Sequence, residues 1–90
     1  MRFAWDEHKS TINKSKHGVT FDDAKTVFDD LLYVDFYDPD HSRSEHRYIV
    51  IGRSEQERLL LVSYTERGDV IRLISARRAT RREQRTYEEG

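Results

Sequence analysis

The sequence predicts an α+β domain: an antiparallel β-meander sheet with two N-terminal helices and one C-terminal helix. Three observations predict it. Apolar residues recur at helical spacing only before residue 32, most clearly at Phe21, Ala24, Val27, Phe28 and Leu31. From Leu32 the period shifts to two, and apolar runs such as Tyr48–Ile51 and Leu59–Val62 are separated by short polar turns. A capped, arginine-rich segment then closes the chain from Thr80.

Taken in order, residues 2–5 read as a short strand. Asp6 is an N-cap, because its carboxylate can accept the orphan amide hydrogens of a helix from Glu7 to about Lys16. Gly18 stands where a left-handed residue ends that helix, with Val19 as the apolar contact after it. Thr20, with Asp23 three residues on, starts a second helix expected to reach Leu31. A strand follows from Leu32 to Tyr37, and Asp38-Pro39-Asp40 breaks it. Further strands are expected at Arg47–Arg53, Arg58–Thr65 and Val70–Ala76, the last two joined through Glu66-Arg67-Gly68-Asp69, where Gly68 supplies a positive φ. Thr80 and Glu83 make a capping box for the last helix. Consecutive strands with short loops imply a meander, with the helices expected on one side of it.

Ninety residues, 36% hydrophobic and 37% charged, give one domain (1–90) with a modest core. Such a chain is expected to be marginally stable alone and to gain from a partner. The absence of cysteine excludes a disulfide framework, thiolate zinc sites and a cysteine nucleophile. No apolar run approaches the roughly 20 residues that span a bilayer, and the N-terminus has no signal-peptide stretch. The expectation is a cytoplasmic soluble protein without a membrane role. No Gly-rich phosphate loop, dinucleotide fingerprint or nucleophile elbow is present, which leaves nucleotide hydrolysis and hydride transfer unsupported.

Charge is unevenly spread over a chain of net charge −1. Between Arg67 and Arg85 seven arginines face only Asp69 and Glu83, whereas residues 22–40 hold seven aspartates and one base, Lys25. A cluster of guanidinium groups fits phosphate and attracts polyanions, so RNA, DNA or an acidic protein are the first partners to consider. The acidic middle would repel a nucleic acid unless the two basic ends share a face. In the last helix Arg78, Arg81, Arg82 and Arg85 line one side, and Tyr87 is the only sizeable apolar residue. A helix so polar needs side-chain pairs or a partner to hold it.

Several residues could carry chemistry. His17 can move protons and Lys16 can hold phosphate, or both simply complement the carbonyl end of the first helix. Arg77 and Arg78 point to opposite sides of a strand and either grip phosphate or end the strand in solvent. Arg53 and Arg67 are open between ligand and surface charge. Glu83 is claimed by its capping box ahead of a role as base, and Tyr64 reads as a half-buried strand tyrosine ahead of a proton donor. His41 and His46 lie near Asp38 and Asp40, but their spacing matches no familiar zinc or calcium site. No metal or cofactor is expected. RNA cleavage asks little of such a set, because the 2′-hydroxyl nucleophile is already in the substrate.

Longer segments carry a resemblance. Phe3-Ala-Trp-Asp6 with Lys9 and Asn13, Lys16-His-Gly-Val19, Phe21 with Ala24 and Val27-Phe-Asp29 resemble the first half of BrnT-type toxins. Ile51-Gly52, Leu60-Leu-Val62, Tyr64-Thr-Glu-Arg-Gly68 and Ile71-Arg-Leu-Ile-Ser-Ala-Arg77, with Ala79-Thr80 and Glu83, resemble the second half in the same order and spacing. The resemblance implies a RelE-like fold and a metal-independent ribonuclease toxin of a type II toxin–antitoxin system that slows translation and growth. It implies a BrnA-type ribbon-helix-helix antitoxin as partner, in a heterotetramer of two toxins and two antitoxins that meets operator DNA only through the antitoxin. The expected roles are His17 and Arg77 for catalysis, Lys16, Arg53, Arg67 and Arg78 for RNA contacts, and Arg81, Arg82, Arg85 and Tyr87 for antitoxin contacts. The alternative is a non-catalytic protein- or nucleic-acid-binding module of the same fold. The catalytic reading requires His17 and Arg77 to meet in one cleft.

Overall fold

Each α-helix begins at a residue whose side chain caps it. In the computed structural model, which describes residues 1–90, the Asp6 carboxylate accepts from His8 N–H at 2.8 Å and Lys9 N–H at 3.3 Å and opens α1 (Glu7–His17). Those two backbone donors hold its carboxyl below the ordinary range. Gly18, at φ 71°, ends α1 with its N–H on the Lys14 carbonyl. Thr20 caps α2 (Phe21–Ala24) through Asp23 N–H, at 3.1 Å.

The second helix stops earlier than its apolar spacing predicts. It tightens to a 3₁₀ turn over Lys25–Asp29, and Leu31 is 99% exposed rather than part of the buried stripe. Asp30 then ends the helical segment. Its carboxylate accepts from Leu32 N–H at 2.9 Å and from Arg53 N–H at 2.8 Å, and this local bonding competes with helix continuation.

The sheet has five strands, β1 (Arg2–Ala4), β2 (Val34–Tyr37), β3 (Tyr48–Arg53), β4 (Leu59–Arg67) and β5 (Val70–Arg78), in the order β1-β5-β4-β3-β2. Strands β2 to β5 form the expected antiparallel meander, with Gly68 at φ 62° in the β4–β5 turn. The sheet is mixed, however, because β1 lies parallel to β5. The meander leaves β5 at an edge, and a strand that reaches this edge after a long connection is not bound to the antiparallel geometry of a hairpin. At the opposite edge, β2 leaves Phe36 and Tyr37 exposed.

One face of the sheet carries the core. Val50, Leu60, Val62, Tyr64, Leu73 and Ala76 pack against Val19, Phe21, Ala24 and Val27. Gly52 is fixed by this packing, since a Cβ there would come within 3.1 Å of the Val27 Cβ. Tyr64 belongs to the same core, stacked on Tyr48 at 5.6 Å, and burial raises its phenol well above the ordinary value.

The helices do not all lie on one side. α3 (Arg81–Glu89) turns onto the other face, where Glu83 bonds Arg77 and Tyr87 packs on Arg53. By strand alternation both arginines point away from the core. No helix is long and apolar enough to cross a membrane.

Candidate active site

Two irregularities of β5 build the site. First, β1 is only three residues long, so the second half of β5 has no strand beside it. α1 runs there instead, and the carboxamide of Asn13 takes the place of a strand. Asn13 is buried; its Nδ2 donates to the carbonyls of Ala76 and Val19, both at 2.9 Å, and its Oδ1 accepts from Ala76 N–H at 3.1 Å. One side chain thus satisfies a donor and an acceptor that a neighbouring strand would otherwise pair. Because α1 flanks the sheet edge, its last turn reaches round to the face opposite the core.

Second, the β4–β5 register slips: Ser63 pairs Ser75 while Tyr64 pairs Leu73. Ile74 is the extra residue of a β-bulge. Leu73 and Ala76 both stay in the core, and the two residues between them, Ile74 and Ser75, both line the open face.

The result is a cleft of about 420 Å³ on that face, and it contains both His17 and Arg77. Ile49, Leu61 and Ser63 form its floor. A shallower groove of about 190 Å³ continues from it along α1, past His17 to Lys16 and Lys9. Lys16 and Arg77 therefore line adjoining depressions that share His17, Ile74 and Ser75, although some sixty residues separate the two ends in sequence.

Arg77 is held by Glu83. Its Nη1 and Nη2 donate to Oε1 and Oε2 at 2.8 and 2.9 Å, a planar two-oxygen clamp of the kind that also fits phosphate. The bond from Arg77 is the main reason the Glu83 carboxyl sits below its ordinary value, and Glu83 correspondingly raises Arg77. Glu83 also accepts from Thr80 N–H at 2.8 Å, so the capping box and the arginine clamp use the same carboxylate.

Sequence reasoning missed the far wall. Asp38, His41 and Arg47, from the loop between β2 and β3, line the same cleft. His41 Nδ1 donates to Asp38 Oδ2 at 2.8 Å. His46, five residues on, instead meets the Tyr37 hydroxyl at 3.3 Å and does not line the cleft. The available signal was the Asp38-Pro-Asp-His41 spacing, a capped turn that fixes a histidine three residues after an aspartate. No three His, Cys, Asp or Glu side chains come together as metal ligands.

Other predicted residues fall elsewhere. Arg53 does not reach the cleft; it stacks on Tyr87 at 5.9 Å and borders a separate recess walled by Asp29, Asp30, Glu55 and Glu57, which would repel phosphate. Arg67 shares the open face but lies roughly 20 Å along β4 from Leu61, at about 3.3 Å per residue, and pairs with Glu45 at 3.0 Å. Arg78 is exposed and points to the side opposite Arg77. Arg81, Arg82 and Arg85 are exposed on α3, but Tyr87 is turned inward, its hydroxyl donating to Asp30 Oδ2 at 2.6 Å. Burial would raise the Asp30 carboxyl, yet the bonds from Tyr87, Arg53 and Leu32 together hold it below the ordinary value.

A model of the family described as "Ribonuclease toxin, BrnT, of type II toxin-antitoxin system" matches residues 5–83. Among solved structures, the crystal structure of the Brucella abortus ribonuclease toxin BrnT is similar, with a TM-score of 0.65 and 25% identity over 90% of this chain and 99% of that one. A search of curated proteins finds no match.

Proposed function

The chain belongs to the BrnT family of ribonuclease toxins of type II toxin–antitoxin systems, and on that premise we propose that it is itself an endoribonuclease acting in the cleft between α1, β5 and α3. In this reading Arg77 offsets the charge that builds on the phosphate in the transition state, His17 moves a proton, and Lys16 holds the substrate backbone along the α1 groove. Cleavage needs no metal, slows translation and growth in the cytoplasm, and is silenced by a BrnA-type antitoxin that meets the exposed guanidinium groups of Arg81, Arg82 and Arg85. Two toxins and two antitoxins form the complex, and operator DNA is reached through the antitoxin.

The observation that carries this reading is the convergence of His17 and Arg77 in one cleft. The Glu83 carboxylate on Arg77 then acts as a stand-in for phosphate, to be exchanged when RNA enters. The same ion pair favours the rival reading, a binding module whose arginine is structural. Induced expression separates the two. A nuclease arrests growth and degrades RNA, also in the presence of chelator with purified protein, and Arg77→Ala lowers cleavage by about 100-fold or more. A binding module leaves RNA intact with or without the substitution.

A further inference from the structure

We propose that His41, held by Asp38, is the general base of this cleft: it takes the 2′-hydroxyl proton of the RNA, while His17 delivers a proton to the departing 5′-oxygen. The inference rests on the ribonuclease reading above and deepens it by naming the proton carriers.

Geometry assigns the roles. A carboxylate can only accept, so the 2.8 Å bond from Nδ1 to Asp38 Oδ2 keeps a proton on Nδ1, and in its neutral form the ring then presents the Nε2 lone pair. The orienting side chain is enclosed, at 13% exposure, while the histidine is open, at 67%. The loop itself is fixed. Asp38 N–H donates to the Arg47 carbonyl at 2.9 Å, and the Ser42 hydroxyl bridges the segment by donating to the Asp38 carbonyl at 2.5 Å and accepting from Arg47 N–H at 2.9 Å. That closure also brings Arg47 to the cleft beside His41. The charged groups around His41 are Asp38, Asp40, Arg43 and Arg47 on its own loop, with His17, Arg77 and Glu83 from the other elements lining the cleft.

The step balances without another reactant. The 2′-oxygen forms a bond to phosphorus as the bond from phosphorus to the 5′-oxygen breaks. The 2′-proton goes to His41 Nε2, and the 5′-oxygen takes a proton from His17. The products are a 2′,3′-cyclic phosphate and a 5′-hydroxyl. Arg47 and Arg77 offset the charge on the non-bridging oxygens. Asp38 acts as a positioning residue, through the ring it orients.

The test uses two versions of one cleavable RNA: the natural linkage, and one with sulfur as the 5′-bridging atom, which leaves as a thiolate and needs no proton. Wild-type protein is expected to give cyclic-phosphate ends. His17→Gln is expected to lose about 100-fold or more on the natural linkage and to recover most of it on the sulfur linkage, whereas His41→Gln loses a similar factor on both. Asp38→Asn is expected to lower kcat with little change in KM. Melting temperatures of the variants near wild type confirm that each has folded. An active wild type that His41→Gln leaves within threefold, or a His41→Gln variant rescued by sulfur, overturns the assignment. A wild type inert on both RNAs overturns the ribonuclease reading itself.

Discussion

Asn13 shows how one polar residue can decide the geometry of a site. Two of its three hydrogen bonds, both to Ala76, complete a sheet edge that β1 is too short to cover; the third, to the Val19 carbonyl, ties down the chain after α1, and together they fix α1 one turn before His17. Asn13→Ala leaves Ala76 N–H and two carbonyls without partners in a buried setting, a loss of about 2–3 kcal/mol. Urea unfolding should show a correspondingly lower midpoint, and on the proposed ribonuclease reading the surviving folded protein should cleave RNA more slowly, because His17 loses its fixed placement. An unchanged midpoint would mean that water or another side chain replaces the carboxamide. In the sequence Asn13 stands out from Lys14 or Ser15 only through the family resemblance; its physical role follows from its contact with Ala76, sixty-three positions away.

α3 is the element whose stability sequence reasoning assigned to an external partner. It is tied down inside the chain at both ends, by Glu83 on Arg77 and by Tyr87 on Asp30 and Arg53. Both carboxylates have folded pKa values below their ordinary ones, 4.5 for Glu83 and 3.8 for Asp30. A depressed carboxyl contributes stability that is present above the unfolded value and lost as pH falls through the folded value. The anchoring of α3 is therefore expected to be full above about pH 4.5 and to weaken on further acidification. Amide hydrogen exchange is the measurement: α3 amides should lose protection at low pH ahead of those of β4. Equal loss in both elements would show that α3 unfolds only with the whole molecule. The helix and its capping box were legible from Thr80 and Glu83 alone; the face it occupies was not, because its periodicity shows arginines and no stripe.

Across the whole molecule, the N-terminal helices are held to the meander by packing and by one enclosed ion pair. Arg58, at the start of the β4 hairpin, donates to Asp23 Oδ2 at 3.0 Å and to the Gly18 carbonyl at 3.1 Å, and the Asp23 side chain is only 1% exposed. Arg58→Ala strands a buried carboxylate and is expected to cost about 3 kcal/mol, a large share of the stability of so small a domain. Replacing both Asp23 and Arg58 by alanine should cost less than Arg58→Ala alone, since no uncompensated charge remains; thermal or urea melts of the two variants would decide it. The sequence by itself determined the helix starts, the meander and the core stripe of Phe21, Ala24 and Val27, because caps, turns and periodicity are local and each is written within a few residues. Only the tertiary structure decided the parallel seat of β1, the bulge at Ile74, the side chosen by α3, and the meeting of His17 and Arg77 with His41. Those depend on which groups an edge, a slipped register and a loop leave unpaired, and such pairings join residues that no local pattern connects.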